Sequence, residues 1–560
     1  MTVRYVRAAT GAAVAALLVL VASLLAPSAA PGAERAQAEG ADGGRPHVLV
    51  ITLDDMRWDE LRYMPQMRRL LARRGISFAN SFAPNPLCCP SRASFLLEQY
   101  SHQHHVLSHE PPYGFASLDD RRTLAGRLRR AGYRTGFVGK YLNGYGYQRS
   151  RVTGRSSRTY VPPGWDDWRA GVELRGSVPN RVAGGTYAFF SFTQNENGHL
   201  VGNRGRYSSA VIADDAIQFM RKNAAGRKPW FLWVNVVAPH HGAPREADDP
   251  RSFTAADGRL WGFPTPARPR GVKGMYDRVL RHAPGIPADG RPSEADMRDK
   301  PHLGYHAEPP AAVKRALAEV QRQRAESLRA SDRELARVLR TLRETGQQSR
   351  TVVVLTSDNG YLMGEHRVAL QKIWAYEESI RVPLVVAGPG IRRGVRYAPA
   401  MTHDVTATVL DLAKAGHLPG GSGRSLLPVL RGPDSAWDRA VLTEGYWPGM
   451  RRRVRLPAGL STSGLRTGRW KYVRYSSGAS ELYDLASDPL EMQNLARDPD
   501  SRPMLRRMKE VWEMYADCAG AACRARLPSD LVVTPAELRA IASHANSERL
   551  AHYGPPTRSP

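Results

Sequence analysis

The chain has 560 residues, 42% of them hydrophobic, and 80 Lys+Arg against 53 Asp+Glu give a formal charge of +27. That much apolar material excludes a disordered protein and suffices for one large domain with a smaller companion. The positive field favours polyanionic partners such as sulfated polysaccharide, anionic lipid or nucleic acid, although arginine imposed by base composition explains the same excess.

Arg4 and Arg7 precede an apolar run from Ala12 to Ala26, and the small residues Ser28, Ala29 and Ala30 follow. This is the layout of an export signal over residues 1–30. No later stretch approaches the roughly 18 uninterrupted apolar residues of a membrane span. The expectation is a secreted protein, tethered to a membrane only if the leader stays uncut. Residues 31–45 are small and polar and read as a linker.

From His47 onward, strand-length apolar runs alternate with helical periods. The strands are expected at His47–Leu53, Thr135–Val138, Trp230–Val237, Thr351–Thr356 and Pro383–Ala387, and the helices at Met64–Arg74, Leu124–Arg130, Ala210–Lys222, Ala311–Glu344 and Val405–Ala413. The alternation predicts an α/β domain over residues 46–434, with a large, mostly parallel sheet covered by helices on both faces. Gly242–His306, rich in Pro, Gly, Arg and Asp and without a period, reads as an irregular excursion that covers a site. Past Asp434, short runs such as Trp470–Tyr475 point to a smaller domain on an antiparallel sheet over 435–530. A helix-like tail follows over 531–560 and ends in coil.

Ligands of open α/β sheets gather beyond the carboxyl ends of the strands. Four of the expected strands end there in Asp54-Asp55, Gly139-Lys140, His240-His241 and Asp358-Asn359. Singly, each is an ordinary turn or cap sequence. Together, Asp54, Asp55, Asp358 and Asn359 make an all-oxygen set suited to Ca²⁺, with Mg²⁺ second, rather than Zn²⁺. Pro90 fits the first position of a helix running towards Tyr100. Its amino terminus with Arg92, Lys140, His240 and Lys372 would surround a small, multiply charged anion.

The chain has four cysteines. In an oxidising space Cys518 and Cys523 read as a small disulfide loop, with a zinc site the poorer alternative. For Cys88 and Cys89, two ordinary buried thiols remain the bland reading.

Cys88-Cys89-Pro90-Ser91-Arg92 resembles the Cys-x-Pro-Ser-Arg signature of the type I sulfatases in the alkaline phosphatase superfamily. Further ordered matches are Asp54-Asp55, Gly139-Lys140, Pro239-His240, Ser357–Gly360, Gly364-Glu365-His366, Lys372 with Tyr376–Pro383, and Glu481–Leu485. The resemblance spans nearly the whole exported chain. It implies an alkaline phosphatase-like fold, a sulfuric ester hydrolase, and oxidation of Cys88 to formylglycine by a dedicated maturation enzyme. Cys89 as the target would put the proline and arginine out of register.

By the same resemblance, residue 88 joins Asp54, Asp55, Asp358 and Asn359 at the metal, and Arg92 holds the hydrated aldehyde. Lys140, Lys372 and His240 would offset sulfuryl charge, with His240 or Lys372 protonating the departing sugar oxygen. Cys88–Ser94, Gly139–Asn143 and the His-rich Tyr100–Val106 segment look most like N-acetylglucosamine-6-sulfatases. The implied substrate is therefore a sulfated carbohydrate, including glycosaminoglycans, and no specific nucleic acid. Two positions depart from the family pattern: Leu97 and Glu98 stand where the signature continues to Thr-Gly, and Leu142 stands where many members have a histidine. The rival readings are a phosphodiesterase or phosphonate monoester hydrolase on the same scaffold, and a secreted polyanion-binding protein with a decayed site.

Overall fold

The computed structural model describes residues 44–174, 184–254, 260–303, 307–447 and 459–554. The expected leader and all but the last two residues of the linker lie outside them. None of the described helices is long and apolar enough to cross a membrane.

Ten strands form the main sheet: β1 (His47–Asp54), β2 (Ile76–Phe82), β3 (Arg134–Lys140), β4 (Asp167–Gly171), β5 (Ser191–Glu196), β6 (His199–Arg204), β7 (Trp230–Pro239), β10 (Thr351–Ser357), β11 (Leu384–Ala387) and β12 (Gly394–Met401). Their spatial order is β12-β2-β11-β10-β1-β7-β3-β4-β5-β6. The centre, β10-β1-β7-β3-β4, is parallel. β11 runs antiparallel to both neighbours, and β5 and β6 close the far edge as a hairpin. Every residue of β1 is buried. Val48 and Val50 enter one core while Leu49, Ile51 and Leu53 enter the other, as a strand covered on both faces requires.

The helices are α1 (Pro65–Leu70), α2 (Cys88–Leu97), α3 (Leu124–Arg130), α4 (Ser208–Lys222), α5 (Ala311–Glu344), α6 (Thr402–Leu412), α7 (Arg502–Tyr515) and α8 (Pro535–Tyr553), besides single turns. Residues of α2, α3 and α6 build one core, and residues of α1, α4 and α5 build the other. The expected helix from Met64 to Arg74 is α1 followed by a 3-10 turn, Ala72–Arg74. In the excursion from Gly242 to His306, the described residues carry only the two-stranded pair β8 (Phe253–Thr254) and β9 (Leu260–Trp261) and a 3-10 turn.

A second sheet, β13 (Val441–Trp447), β14 (Leu460–Arg466), β15 (Trp470–Tyr475) and β16 (Ser480–Asp484), is an antiparallel meander. Met508, Val511 and Tyr515 of α7 pack with Leu465, Tyr472 and Leu482 of this sheet, and Phe82, Ile380 and Met401 extend the same core into the main sheet. Cys518 and Cys523 form a disulfide within that core. Thr534 and Glu537 cap the start of α8 reciprocally, satisfying two amide donors that the helix cannot satisfy itself.

Candidate active site

The carboxyl ends of β1, β3, β7 and β10 converge beside the start of α2. The Asp358 carboxylate accepts from the Asp55 amide at 3.0 Å, and Ser357 Oγ accepts from the Met56 amide at 2.9 Å. These bonds tie the loops after β1 and β10 together. Asp55 has φ 64°, a left-handed conformation that aspartate tolerates better than most side chains. Gly139 has φ +98°, and a Cβ there would stand 2.0 Å from the Asn235 carbonyl oxygen. Only glycine lets β3 close on β7 and deliver Lys140.

The helix α2 begins at Cys88, two residues earlier than the proline signal suggests, with Pro90 at its third position. Both cysteines therefore lie in its first turn. Arg92, one turn in, is buried and makes three hydrogen bonds through Nε and Nη1, while its Nη2 lies 4.0 Å from Asp54 Oδ1. Its Nε donates to Asp358 Oδ2 at 2.8 Å, and its Nη1 donates to the Lys140 carbonyl at 2.9 Å and to Asn235 Oδ1 at 2.8 Å. Ser91 Oγ donates to the Asp358 carbonyl at 2.5 Å. The amino end of α2 is thus fastened to β3, β7 and β10 at once.

Around Cys88 the charges alternate. Lys140 Nζ donates to Asp54 Oδ2 at 2.6 Å. Lys372 Nζ donates to Cys88 Sγ at 2.8 Å and to Asp55 Oδ1, with Asn359 Oδ1 at 3.4 Å. Asn359 Nδ2 also donates to Asp55 Oδ1, at 2.8 Å. His240 Nε2 lies 3.7 Å from Asp55 Oδ2. Its Nδ1 donates to the His241 carbonyl at 2.7 Å, which leaves Nε2 facing the site.

Burial pushes the Cys88 thiol well above its usual range against the pull of Lys140 and Lys372. Burial also favours the neutral forms of Lys140 and Lys372, but Asp54 and Asp55 respectively outweigh it and hold them charged. For Asp55, burial is outweighed by Lys372, His240 and Lys140, so its carboxyl lies below the usual range. His240 is brought down to about 3, chiefly by burial.

Asp54, Asp55, Cys88 and His240 each offer one donor atom within 4.8 Å of the others. Asp54 Oδ1 is buried with no hydrogen-bond partner among the described residues. An orphaned carboxylate oxygen beside a second carboxylate and an amide fits a divalent cation with oxygen ligands. Asp358 turns both oxygens to protein donors, Oδ2 to Arg92 and Oδ1 to the Asp55 and Asn359 amides.

All the residues singled out in sequence, Asp54, Asp55, Cys88, Arg92, Lys140, His240, Asp358, Asn359 and Lys372, meet in this cradle. Three further residues take part to which the sequence reading gives no role. Asn235 holds Arg92; Tyr187 stacks on the His240 ring at 4.6 Å with Lys140 Nζ 5.0 Å above it; and Asn143 donates to the Tyr187 hydroxyl at 2.7 Å. Asn235 carries a usable signal, being an amide inside the apolar strand β7. Tyr187 carries none.

The two departures from the signature have structural explanations. Glu98 ends α2 at φ 59°, the left-handed conformation for which glycine is the ordinary choice. Its buried carboxylate accepts from the Leu418 amide at 2.9 Å and pairs with His417, while its carbonyl accepts from the Ser422 amide at 2.6 Å. Leu142 is buried in the core beneath α2, so no imidazole takes its place in the cradle.

A family profile described as Sulfatase matches residues 46–415, and one described as N-sulphoglucosamine sulphohydrolase, C-terminal, matches residues 364–517. The chain belongs to the sulfatase family. It is 27% identical over 529 residues to an arylsulfatase of Chlamydomonas reinhardtii, covering 87% of this chain and 76% of that one. To the human N-acetylglucosamine-6-sulfatase it is 27% identical over 526 residues, covering 86% of each. A solved structure of a protein in complex with its substrate D-glucosamine-2-N,6-O-disulfate superposes with a TM-score of 0.61 at 22% identity, covering 84% of this sulfatase and 97% of that chain. The ten-stranded sheet with its separate antiparallel meander is accordingly the alkaline phosphatase-like fold of sulfatases.

Proposed function

We propose that this sulfatase is exported and hydrolyses sulfate esters of sulfated sugars, N-acetylglucosamine-6-sulfate units of glycosaminoglycans among them, with residue 88 as formylglycine. The carrying observation is the cradle of Arg92, Lys140, Lys372 and His240 around the first residue of α2, set against the orphaned oxygen of Asp54. The N-acetylglucosamine-6-sulfatase relatives support the sugar class.

Asp54, Asp55, Asp358, Asn359 and residue 88 would hold the metal, Ca²⁺ before Mg²⁺, which when bound supplies Lewis-acid charge at the reacting oxygens. Formylglycine, when hydrated, supplies a hydroxyl nucleophile with a second hydroxyl on the same carbon. Arg92, locked by its three bonds, orients residue 88. Lys140 and Lys372 neutralise charge on the sulfuryl oxygens, the latter from 2.8 Å of the residue 88 side chain. The Nδ1 bond to the His241 carbonyl holds neutral His240 with an unprotonated Nε2 towards the site, so the proton given to the leaving oxygen comes from Lys372, or from His240 once Nε2 has taken up the proton lost by the nucleophile.

The test is mass spectrometry of the Cys88 peptide from host-purified protein, paired with turnover of defined sulfated monosaccharides. The expected result is thiol-to-aldehyde conversion at Cys88 alone and release of 6-O-sulfate from N-acetylglucosamine. Unmodified Cys88 in protein that still hydrolyses sulfate esters overturns the mechanism. Turnover of aryl sulfate with no sulfated sugar accepted overturns the substrate class.

A further inference from the structure

Outside the catalytic cradle, a small cavity of about 30 Å³ lies where the main sheet, the antiparallel meander and α8 meet. Trp58, Glu377, Arg381, Arg466 and Arg549 line it. The volume exceeds the roughly 10–15 Å³ that one water requires and is far too small for an organic ligand.

Its charges do not cancel. Arg466 donates through Nε to Glu377 Oε1 at 3.1 Å, and Lys471 shares that same oxygen at 3.3 Å. Arg549 donates through Nη2 to Glu378 Oε1 at 2.7 Å. Arg381 has no carboxylate at ion-pair distance among the described residues. Its Nε and Nη2 both go to the Ala79 carbonyl, at 3.0 and 2.5 Å, and its guanidinium lies 4.2 Å over the Trp58 ring. Three guanidiniums therefore border a cavity with one carboxylate in its lining, and that carboxylate is already shared with a lysine. Burial brings the Arg381 guanidinium down to about 10, with Arg549 and Arg466 adding to the effect against Glu377.

Two side chains of its lining also carry donors that lack acceptors. Trp58 Nε1 and Arg549 Nη1 are buried with no hydrogen-bond partner among the described residues. Buried N–H groups without acceptors are rare in folded proteins, and each is costly. A water would accept from both but would leave the excess positive charge. A monatomic anion satisfies both, whereas a tetrahedral sulfate is too bulky for the space.

We propose that this cavity binds one halide-sized monovalent anion, chloride in ordinary salt, which accepts from Trp58 Nε1 and Arg549 Nη1 and neutralises Arg381. Trp58 is three residues beyond Asp55, and its neighbour Arg57 pairs with Asp59 and Glu365. The anion thus fastens α8 to the loop that follows the metal-binding aspartates. Its role is to stabilise the fold, and it takes no part in sulfate chemistry.

Crystals of the full chain soaked in sodium bromide, measured at the bromine edge, should show an anomalous peak between Trp58 and Arg549. In solution, melting temperature should rise with sodium chloride but not with sodium gluconate at equal ionic strength. In Trp58→Phe, which keeps the ring under Arg381 and removes only the donor, the chloride concentration for half the effect should rise about tenfold or more. Turnover of a small aryl sulfate by that variant should stay near the original value. A light-atom peak with no anomalous signal, or equal effects of chloride and gluconate on the unaltered protein, overturns the proposal. So does bromide density seen only at molar soaks with no chloride-dependent melting.

Discussion

The catalytic cradle and the junction between the two sheets both bury dense clusters of opposite charge, but what is left over differs: a carboxylate oxygen of Asp54 in the cradle, and a guanidinium, Arg381, at the junction. At the junction, Glu377 accepts from Arg466 and Lys471, and Glu491 forms an ion pair with Lys471 and accepts from the Glu377 amide at 2.8 Å. Glu481 accepts from Tyr475 at 2.8 Å, Tyr483 at 2.9 Å and Tyr376 at 3.3 Å. His366, Glu378 and Glu491 stand close enough together to hold an ion, but Arg549 and Lys471 already neutralise the two carboxylates. In the cradle, Asp54 keeps an oxygen without a hydrogen bond, 4.0 Å from Arg92 Nη2, and Lys372 points a proton at the residue 88 side chain. Buried charge marks chemistry where an unsatisfied carboxylate oxygen and charged lysines face a nucleophile; where each carboxylate has its cation, the same residue types hold domains together.

Substitutions can break this contrast. The largest effect should come from Cys88→Ala, which should lower kcat for an aryl sulfate by roughly 10⁴-fold or more. Cys89→Ala, in the same turn, should leave kcat within about threefold and cost about 1 kcal/mol in denaturant unfolding. A comparable loss of turnover in both variants would remove the distinction between the two thiols.

Next in size is Asp358→Ala, expected to remove metal and turnover together because Asp358 supports both Arg92 and the aspartate loop. Elemental analysis of the unaltered protein should find Ca²⁺ or Mg²⁺. Stoichiometric zinc in fully active enzyme would contradict the all-oxygen reading.

Paired lysine variants sharpen the comparison further. Lys140→Met should lower kcat about 10²-fold or more. Lys471→Met should instead strand Glu491, leave Glu377 with Arg466 alone and cost about 3–5 kcal/mol of stability, with kcat of the folded fraction nearly unchanged. Turnover and urea unfolding measured on both variants decide it.

The junction also has a pH signature. Burial, aided by Glu377 and Glu378 and opposed by Lys471, raises the Glu491 carboxyl from its ordinary 4.5 to about 7. A raised folded-state pKa gives stability that is full below about 4.5 and is lost as pH rises to about 7. The urea midpoint should therefore fall across that window, and Glu491→Gln should flatten the fall.

The smallest effect concerns the overall charge. Activity on polymeric sulfated substrates should fall more steeply with salt than activity on an aryl sulfate, because the +27 field acts over distances that salt screens. Equal salt dependence would assign the arginine excess to composition alone.

Much of the cradle was legible because its parts are local. An apolar run followed by Asp-Asp, Gly-Lys, Pro-His or Asp-Asn-Gly states a strand and its polar end within a few residues, and this serves β1, β3, β7 and β10, while β11 shows in its apolar run alone. Strands β2, β5 and β6 were not legible, since Ser, Asn, Gln and Glu interrupt their apolar pattern and only pairing across the sheet makes them strands. The helix α2 starts two residues before the position that Pro90 marks, because proline tolerates the third helical position as well as the first: its missing N–H is unsatisfied at either. By itself the sequence determined which chemical groups are present and at which strand ends they lie. Which atoms meet depended on contacts between residues from about fifty to more than three hundred positions apart. Asn235 bonds to Arg92, Tyr187 lies against His240, and Glu98 bonds to the Leu418 amide only because the closed sheet and its helices bring those positions together. Hydrogen bonds are directional and short-ranged, so their partners are set by the packed fold and leave no spacing to read along the chain.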